Sequence, residues 1–145
     1  MDTDFQATSV RDVMTRSPIC MPETMTVLEA ARAMRDAEIG DVIVVNSQNT
    51  LKGIVTDRDI AVRAVAENRD PSQTTLLNIC SESLTVLSPS DGISDAVRVM
   101  REHALRRLPV VDGGTPVGIV SLGDLAVFRD PDSVLADISA APANH

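Results

Sequence analysis

The sequence predicts an α+β fold in which two β-α-β-β-α repeats pack with pseudo-two-fold symmetry into one compact module. Three observations predict it. First, Val27-Leu28-Glu29-Ala30-Ala31-Arg32-Ala33-Met34-Arg35 returns as Ile93-Ser94-Asp95-Ala96-Val97-Arg98-Val99-Met100-Arg101, an offset of 66 residues. Second, Gly53-Ile54-Val55-Thr56-Asp57-Arg58-Asp59 returns as Gly118-Ile119-Val120-Ser121-Leu122-Gly123-Asp124, an offset of 65. Third, each copy passes from short apolar runs to apolar residues at helical spacing and back. A copy of about 60 residues is marginal alone, so the two halves need each other.

Repeat one is assigned to residues 9–68, the linker to 69–76 and repeat two to 77–130, with 1–8 and 132–145 as loose termini. Ser9-Val10-Arg11-Asp12 reads as a capping box opening one helical turn. Ile19 to Met21 is extended and ends at Pro22. A helix over about 26–38 buries Val27, Ala30, Ala31 and Met34, and Gly40 stops it. Val42–Val45 is a strand covered on both faces. Asn46–Thr50 is a turn cluster and Leu51–Val55 the returning strand. A helix over about 57–67 buries Ile60, Ala61, Ala64 and Val65. The second copy repeats the order. A lead-in turn spans Leu77–Cys80, and Thr85–Leu87 is extended. A helix over about 92–104 buries Ile93, Ala96, Val97 and Met100. Strands at Leu108–Val111 and Val117–Val120 flank the turn Asp112-Gly113-Gly114. A helix then runs from Leu122 to about Phe128, with one more short helix at 134–138. Pro109 cannot donate to a ladder, so it must sit where no donor is required.

Composition narrows the function. The net charge is -8 and the aromatic content 1%. Nucleic acid is repelled and finds almost no stacking platform, so it is excluded as a partner. The longest apolar runs are far short of the roughly 20 residues a bilayer span needs, and the acidic N-terminus is no signal peptide. No membrane is expected, and the compartment is the cytoplasm. Cys20 and Cys80 read as reduced, mostly buried thiols. They and His103 and His145 show no zinc spacing, so no metal site is expected. No catalytic constellation or phosphate-binding glycine loop is present. His103 reads as a surface residue at a helix C-terminus, and Met14, Met34 and Met100 as core filler.

The pattern that can carry chemistry is Gly53-x-x-Thr56-x-x-Asp59 and its copy Gly118-x-x-Ser121-x-x-Asp124. Each lies where a strand turns into a helix, and unsatisfied N–H groups there favour an anion. A hydroxyl at that point can donate to a phosphate. One turn on, a carboxylate, which only accepts, can take both hydroxyls of a ribose diol. The glycines permit close backbone approach. The same residues also read as two ordinary capping boxes.

Together these pieces resemble a tandem pair of CBS domains, the cystathionine β-synthase type, also called a Bateman module. The resemblance rests on Val13-Met14-Thr15, Thr26-Val27-Leu28-Glu29-Ala30, Gly53 to Asp59, Arg107-Leu108-Pro109-Val110-Val111 and Val117-Gly118-Ile119-Val120-Ser121, over residues 9–129. It implies clefts between the repeats for adenosine-containing ligands, with AMP, ADP, ATP, S-adenosylmethionine and NAD as candidates. It further implies that Asp59 and Asp124 take ribose hydroxyls and that Thr56 and Ser121 take phosphate. Ile39 to Val42, including Asp41, and Leu105 to Pro109, including Arg106, Arg107 and Leu108, would line the base. The lead-in segments would add Thr15, Pro18 and Ile19, and Ser81, Leu84 and Thr85.

On this reading the chain is a stand-alone regulatory module and no enzyme. It would form a homodimer whose shape reports occupancy to an unidentified protein target. The alternative is a structural or interaction module with vestigial clefts. The first repeat lacks the basic residue and proline of Arg106-Arg107-Leu108-Pro109, and Asp41 and Asp57 add negative charge there. Arg58 and Arg63 either offset that charge or only pair with those aspartates. The cleft with more positive charge is expected to bind an anionic ligand better.

Overall fold

The structure, a computed structural model, describes residues 9–82 and 85–129. Leu84, His145 and the helix expected at 134–138 lie outside the described residues. In chain order the elements are a 3-10 turn (Val10–Asp12), β1 (Thr15–Arg16), β2 (Cys20–Pro22), α1 (Val27–Ala37), β3 (Asp41–Val45), β4 (Leu51–Thr56), α2 (Asp57–Asp59) continuing into a wider turn (Ile60–Val65), α3 (Leu76–Ile79), β5 (Ser81–Glu82), α4 (Ile93–His103), β6 (Arg107–Asp112), β7 (Thr115–Ser121) and α5 (Leu122–Arg129). They form two compact units. One holds residues 18–82 with 114–116, and the other holds 9–17, 85–113 and 117–129.

The first unit carries a four-stranded sheet of order β2-β3-β4-β5. β2 lies parallel to β3, and α1 supplies the crossover that a parallel pair requires. Met34, Val42, Val44, Val55, Ala64, Leu76 and Ile79 fill its core. Val42 to Val45 are all buried, as a strand covered on both faces must be. The second unit carries a sheet of order β1-β7-β6, with Val10, Leu87, Ala96, Met100, Leu108, Val110 and Val120 in its core.

The units do not follow chain order, because each lead-in turn completes the core built mainly by the other repeat. The Val10 N–H donates to the Asp91 carbonyl at 2.8 Å, and at the matching place the Leu76 N–H donates to Met25, also at 2.8 Å. Both side chains are fully buried. The segment after each turn then pairs antiparallel with a hairpin strand, Thr15 opposite Ile119 and Ser81 opposite Ile54. These two-residue strands, β1 and β5, have no counterpart in the sequence reading, since alternation needs at least four residues to show.

Gly53 and Gly118 are what let the lead-in strands so close. A Cβ on Gly53 would collide with the Ser81 carbonyl oxygen, and one on Gly118 would stand 2.5 Å from Met14 Sδ and 3.0 Å from the Thr15 carbonyl.

Pro109 explains a difference between the sheets. The Ile43 N–H donates to the Ile19 carbonyl at 2.9 Å, and three residue pairs follow. Pro109 occupies the corresponding position and has no N–H. Pairing there begins with its carbonyl, which accepts from Leu87 at 3.0 Å, and amounts to a single bridge.

Three expectations are corrected. The helix after β4 is not regular through residue 67. Past Asp59 its turn widens, and the Ala66 N–H reaches back five residues to Ala61 at 2.9 Å. The wider turn rotates the face, so Ala64 is buried while Ala61 and Val65 point outward. Gly40 does not end α1. Glu38 takes the left-handed conformation (φ 58°), and the N–H groups of Glu38 and Ile39 both close on the Met34 carbonyl. Ala104 ends α4 in the same way (φ 53°). Finally, Cys20 and Cys80 are half-buried rather than mostly buried, and burial raises the Cys20 thiol pKa.

Candidate functional site

Thr56 ends β4 with extended backbone, and Ser121 ends β7. Each is followed at once by helix, so each hydroxyl stands at a strand-to-helix junction. Each junction carries a backbone bond of the same kind. The Asp57 N–H donates to the Gly40 carbonyl at 2.9 Å, and the Leu122 N–H donates to the Arg106 carbonyl at 2.8 Å.

Both motifs form complete capping boxes. The Thr56 N–H donates to Asp59 Oδ2 at 2.9 Å, and the Asp59 N–H donates to Thr56 Oγ1 at 3.1 Å. The Ser121 N–H donates to Asp124 Oδ2 at 2.9 Å, and the Asp124 N–H to Ser121 Oγ at 3.0 Å. One oxygen of each carboxylate is thus used locally, and the other decides what the site can do. Asp59 Oδ1 lies 3.7 Å from Arg63 Nε, and the Arg63 guanidinium also donates to the Ile79 carbonyl at 3.3 Å. Asp124 Oδ1 has no partner among the described residues. Arg63 therefore pairs with Asp59, one helical turn away, and its bond to Ile79 is a contact that sequence spacing could not reveal.

The remaining candidates fall into the two units. With Ser121 and Asp124 stand Thr15, Thr85, Arg106, Arg107, Leu108 and Pro109. Thr15, Arg106 and Arg107 are exposed, Thr85 is half-buried, and Leu108 and Pro109 are buried. With Thr56 and Asp59 stand Pro18, Ile19, Ile39, Asp41, Val42 and Arg58. Ile39 and Arg58 are exposed, Asp41 pairs directly with Thr56 across the hairpin, and Val42 is 1% exposed. Val42 and Leu108 are core residues of their units.

The unit holding Asp124 also has a concavity of about 480 Å³ between α4 and α5. Val97, Met100, Leu105, Leu122 and Leu125 give it an apolar floor, and Arg101 and Arg106 lie at its edge. Sequence reasoning placed Val97 and Met100 in the core and did not collect these residues into one surface. The available signal was Leu122, where the first repeat has Asp57.

Among the described residues no cluster of three or more His, Cys, Asp or Glu side chains could hold a metal ion, and no helix is long and apolar enough to cross a membrane. His103 is exposed at the end of α4, and Met34 and Met100 are buried in the cores.

Comparison with known proteins agrees with this architecture. The model of the CBS domain matches residues 10–65 and again 77–129. The chain is 44% identical over 119 residues to the CBS domain-containing protein YhcV of Bacillus subtilis, covering 82% of this chain and 84% of the relative. It is 34% identical over 133 residues to Hypoxic response protein 1 of Mycobacterium tuberculosis, covering 92% and 93%. Among solved structures, the CBS domain pair of protein MJ0100 in complex with 5'-methylthioadenosine and S-adenosyl-L-methionine superposes with a TM-score of 0.77 at 25% identity, covering 87% of this chain and 98% of that one.

Proposed function

This chain belongs to the CBS-domain family as a tandem pair of repeats, and from that premise we propose that it is a regulatory module binding an adenosine-containing ligand. The ligand is AMP, ADP, ATP, S-adenosylmethionine or NAD, and it sits at a strand-to-helix junction of the kind marked by Thr56/Asp59 and Ser121/Asp124. The observation that carries this reading is Asp124. Its capping bond leaves one carboxylate oxygen with no partner among the described residues, beside a Ser hydroxyl at the start of an eight-residue helix. That oxygen can accept from a ribose hydroxyl, and the N–H groups of the helix start favour phosphate. The chain acts by binding rather than by catalysis, in the cytoplasm, and a homodimer transmits occupancy to a protein target.

Thermal unfolding in the presence of each candidate tests the reading. A ligand at about a hundredfold its Kd stabilises the fold by about 2.7 kcal/mol. At least one nucleotide raises the Tm of the parent, and the double variant Asp59→Asn, Asp124→Asn loses that rise. Asparagine keeps a carbonyl for the capping amide and offers the diol a donor in place of an acceptor. A folded parent insensitive to every candidate at millimolar concentration contradicts the proposal. The second reading, an interaction module whose junctions are only helix caps, draws on the completeness of both capping boxes. Capture of the same protein partner with and without nucleotide would favour it.

A further inference from the structure

We infer that Arg63 is a resident competitor at one of the two junctions, so that the native chain takes one nucleotide per chain, at Asp124. This deepens the nucleotide-binding reading above and rests on it. Asp59 Oδ2 already accepts the Thr56 N–H at 2.9 Å, so Oδ1 is the oxygen with more capacity left for a ribose hydroxyl. The Arg63 Nε lies 3.7 Å from that same Oδ1. The Asp59 side chain is 16% exposed, and the guanidinium stands beside the oxygen that its cap leaves open.

Arg63 is also tethered at its other end. Its Nη1 donates to the Ile79 carbonyl at 3.3 Å, the last residue of α3, whose side chain is buried in the same core. The guanidinium therefore joins the junction carboxylate to the docked lead-in turn. Arg63 stands one helical turn past Asp59, away from the helix start where a phosphate would lie. It therefore opposes the sugar without serving the phosphate. In the other repeat, four residues past Asp124, the sequence has Phe128, which carries no charge. Asp57 adds an exposed carboxylate at the first junction where the second has Leu122, which further disfavours an anion there.

Calorimetric titration of the full chain with AMP, ADP and ATP decides the matter through stoichiometry. The parent takes one nucleotide per chain. Arg63→Gln removes the charge facing Asp59. It takes two, the second at least ten times tighter than any second event in the parent. Adding Asp59→Asn to Arg63→Gln returns the count to one. Arg63→Lys, which keeps the cation, stays at one, so the second site follows the loss of charge. A parent that binds two nucleotides equally overturns the inference, as does a folded Arg63→Gln variant that stays at one while Asp124→Asn abolishes binding. Silence from the parent and every variant ends the nucleotide reading itself, and the inference falls with it.

Discussion

Where the first repeat has Glu38, Gly40, Asp57 and Arg63, the second has Ala104, Arg106, Leu122 and Phe128. Backbone bonds at the matched places agree to within 0.1 Å, 2.9 against 2.8 Å at the junctions and 2.8 against 2.8 Å at the lead-in turns. The duplicated scaffold thus tolerates a change of charge at its surface because hydrogen bonds between backbone groups and buried apolar side chains hold it. Around these shared caps, the side chains at the two junctions differ. At the first, Asp57 is an exposed carboxylate and Arg63 lies 3.7 Å from Asp59. At the second, Leu122 is apolar and lines a concavity together with Arg101 and Arg106. A duplicated site need not be a duplicated function.

The largest break in the comparison comes from the two glycines at the lead-in strands. Gly53→Ala drives a Cβ into the Ser81 carbonyl, which cannot move without the strand, and costs about 3 kcal/mol. Gly118→Ala meets chiefly the thioether of Met14, a flexible side chain, and costs about 1 kcal/mol. Urea unfolding of both variants checks the order, and equal costs would show that the Thr15 carbonyl, not Met14, sets the limit.

A smaller contrast lies at the starts of α1 and α4. Thr26 Oγ1 accepts from the Glu29 N–H at 3.1 Å while Glu29 Oε1 accepts from the Thr26 N–H at 3.0 Å. Gly92 has no hydroxyl, and its N–H donates to Asp95 Oδ2 at 3.3 Å. Thr26→Ala costs about 1 kcal/mol, whereas Gly92→Ser gains only a few tenths, about the difference between those two caps. The first box is also sensitive to pH. The Thr26 backbone amide and hydroxyl hold the Glu29 carboxyl below its usual value. Its contribution is complete above the ordinary glutamate pKa and is lost as the pH falls through the lowered folded-state value. Acid titration of stability shows this loss, and Glu29→Gln flattens it.

Much of the fold was legible because duplication shows each element twice. Of the expected stripes, Val27, Ala30 and Met34 and their copies Ile93, Ala96 and Met100 are buried, while Ala31 and Val97 are half-buried. The family itself could be read from the same segments. The exchange of lead-in turns was not legible, since Val10 and Leu76 look alike whichever core they enter. The left-handed ends at Glu38 and Ala104 were hidden too, because neither residue is one that favours that conformation. At the site, both capping boxes could be read from spacing alone. The Arg63–Asp59 pair stands at i,i+4 spacing, but spacing could not show that Arg63 reaches Ile79 across 16 residues of sequence. Such a bond depends on where α3 docks.

The most direct measurement is a crystal structure of the chain with the nucleotide that raises its Tm most. The account predicts ribose hydroxyls on the outer oxygen of Asp124, phosphate toward Ser121, and Arg63 still seated against Asp59. A nucleotide bound at Asp59 with Arg63 in place, or one held away from both junctions, would contradict it.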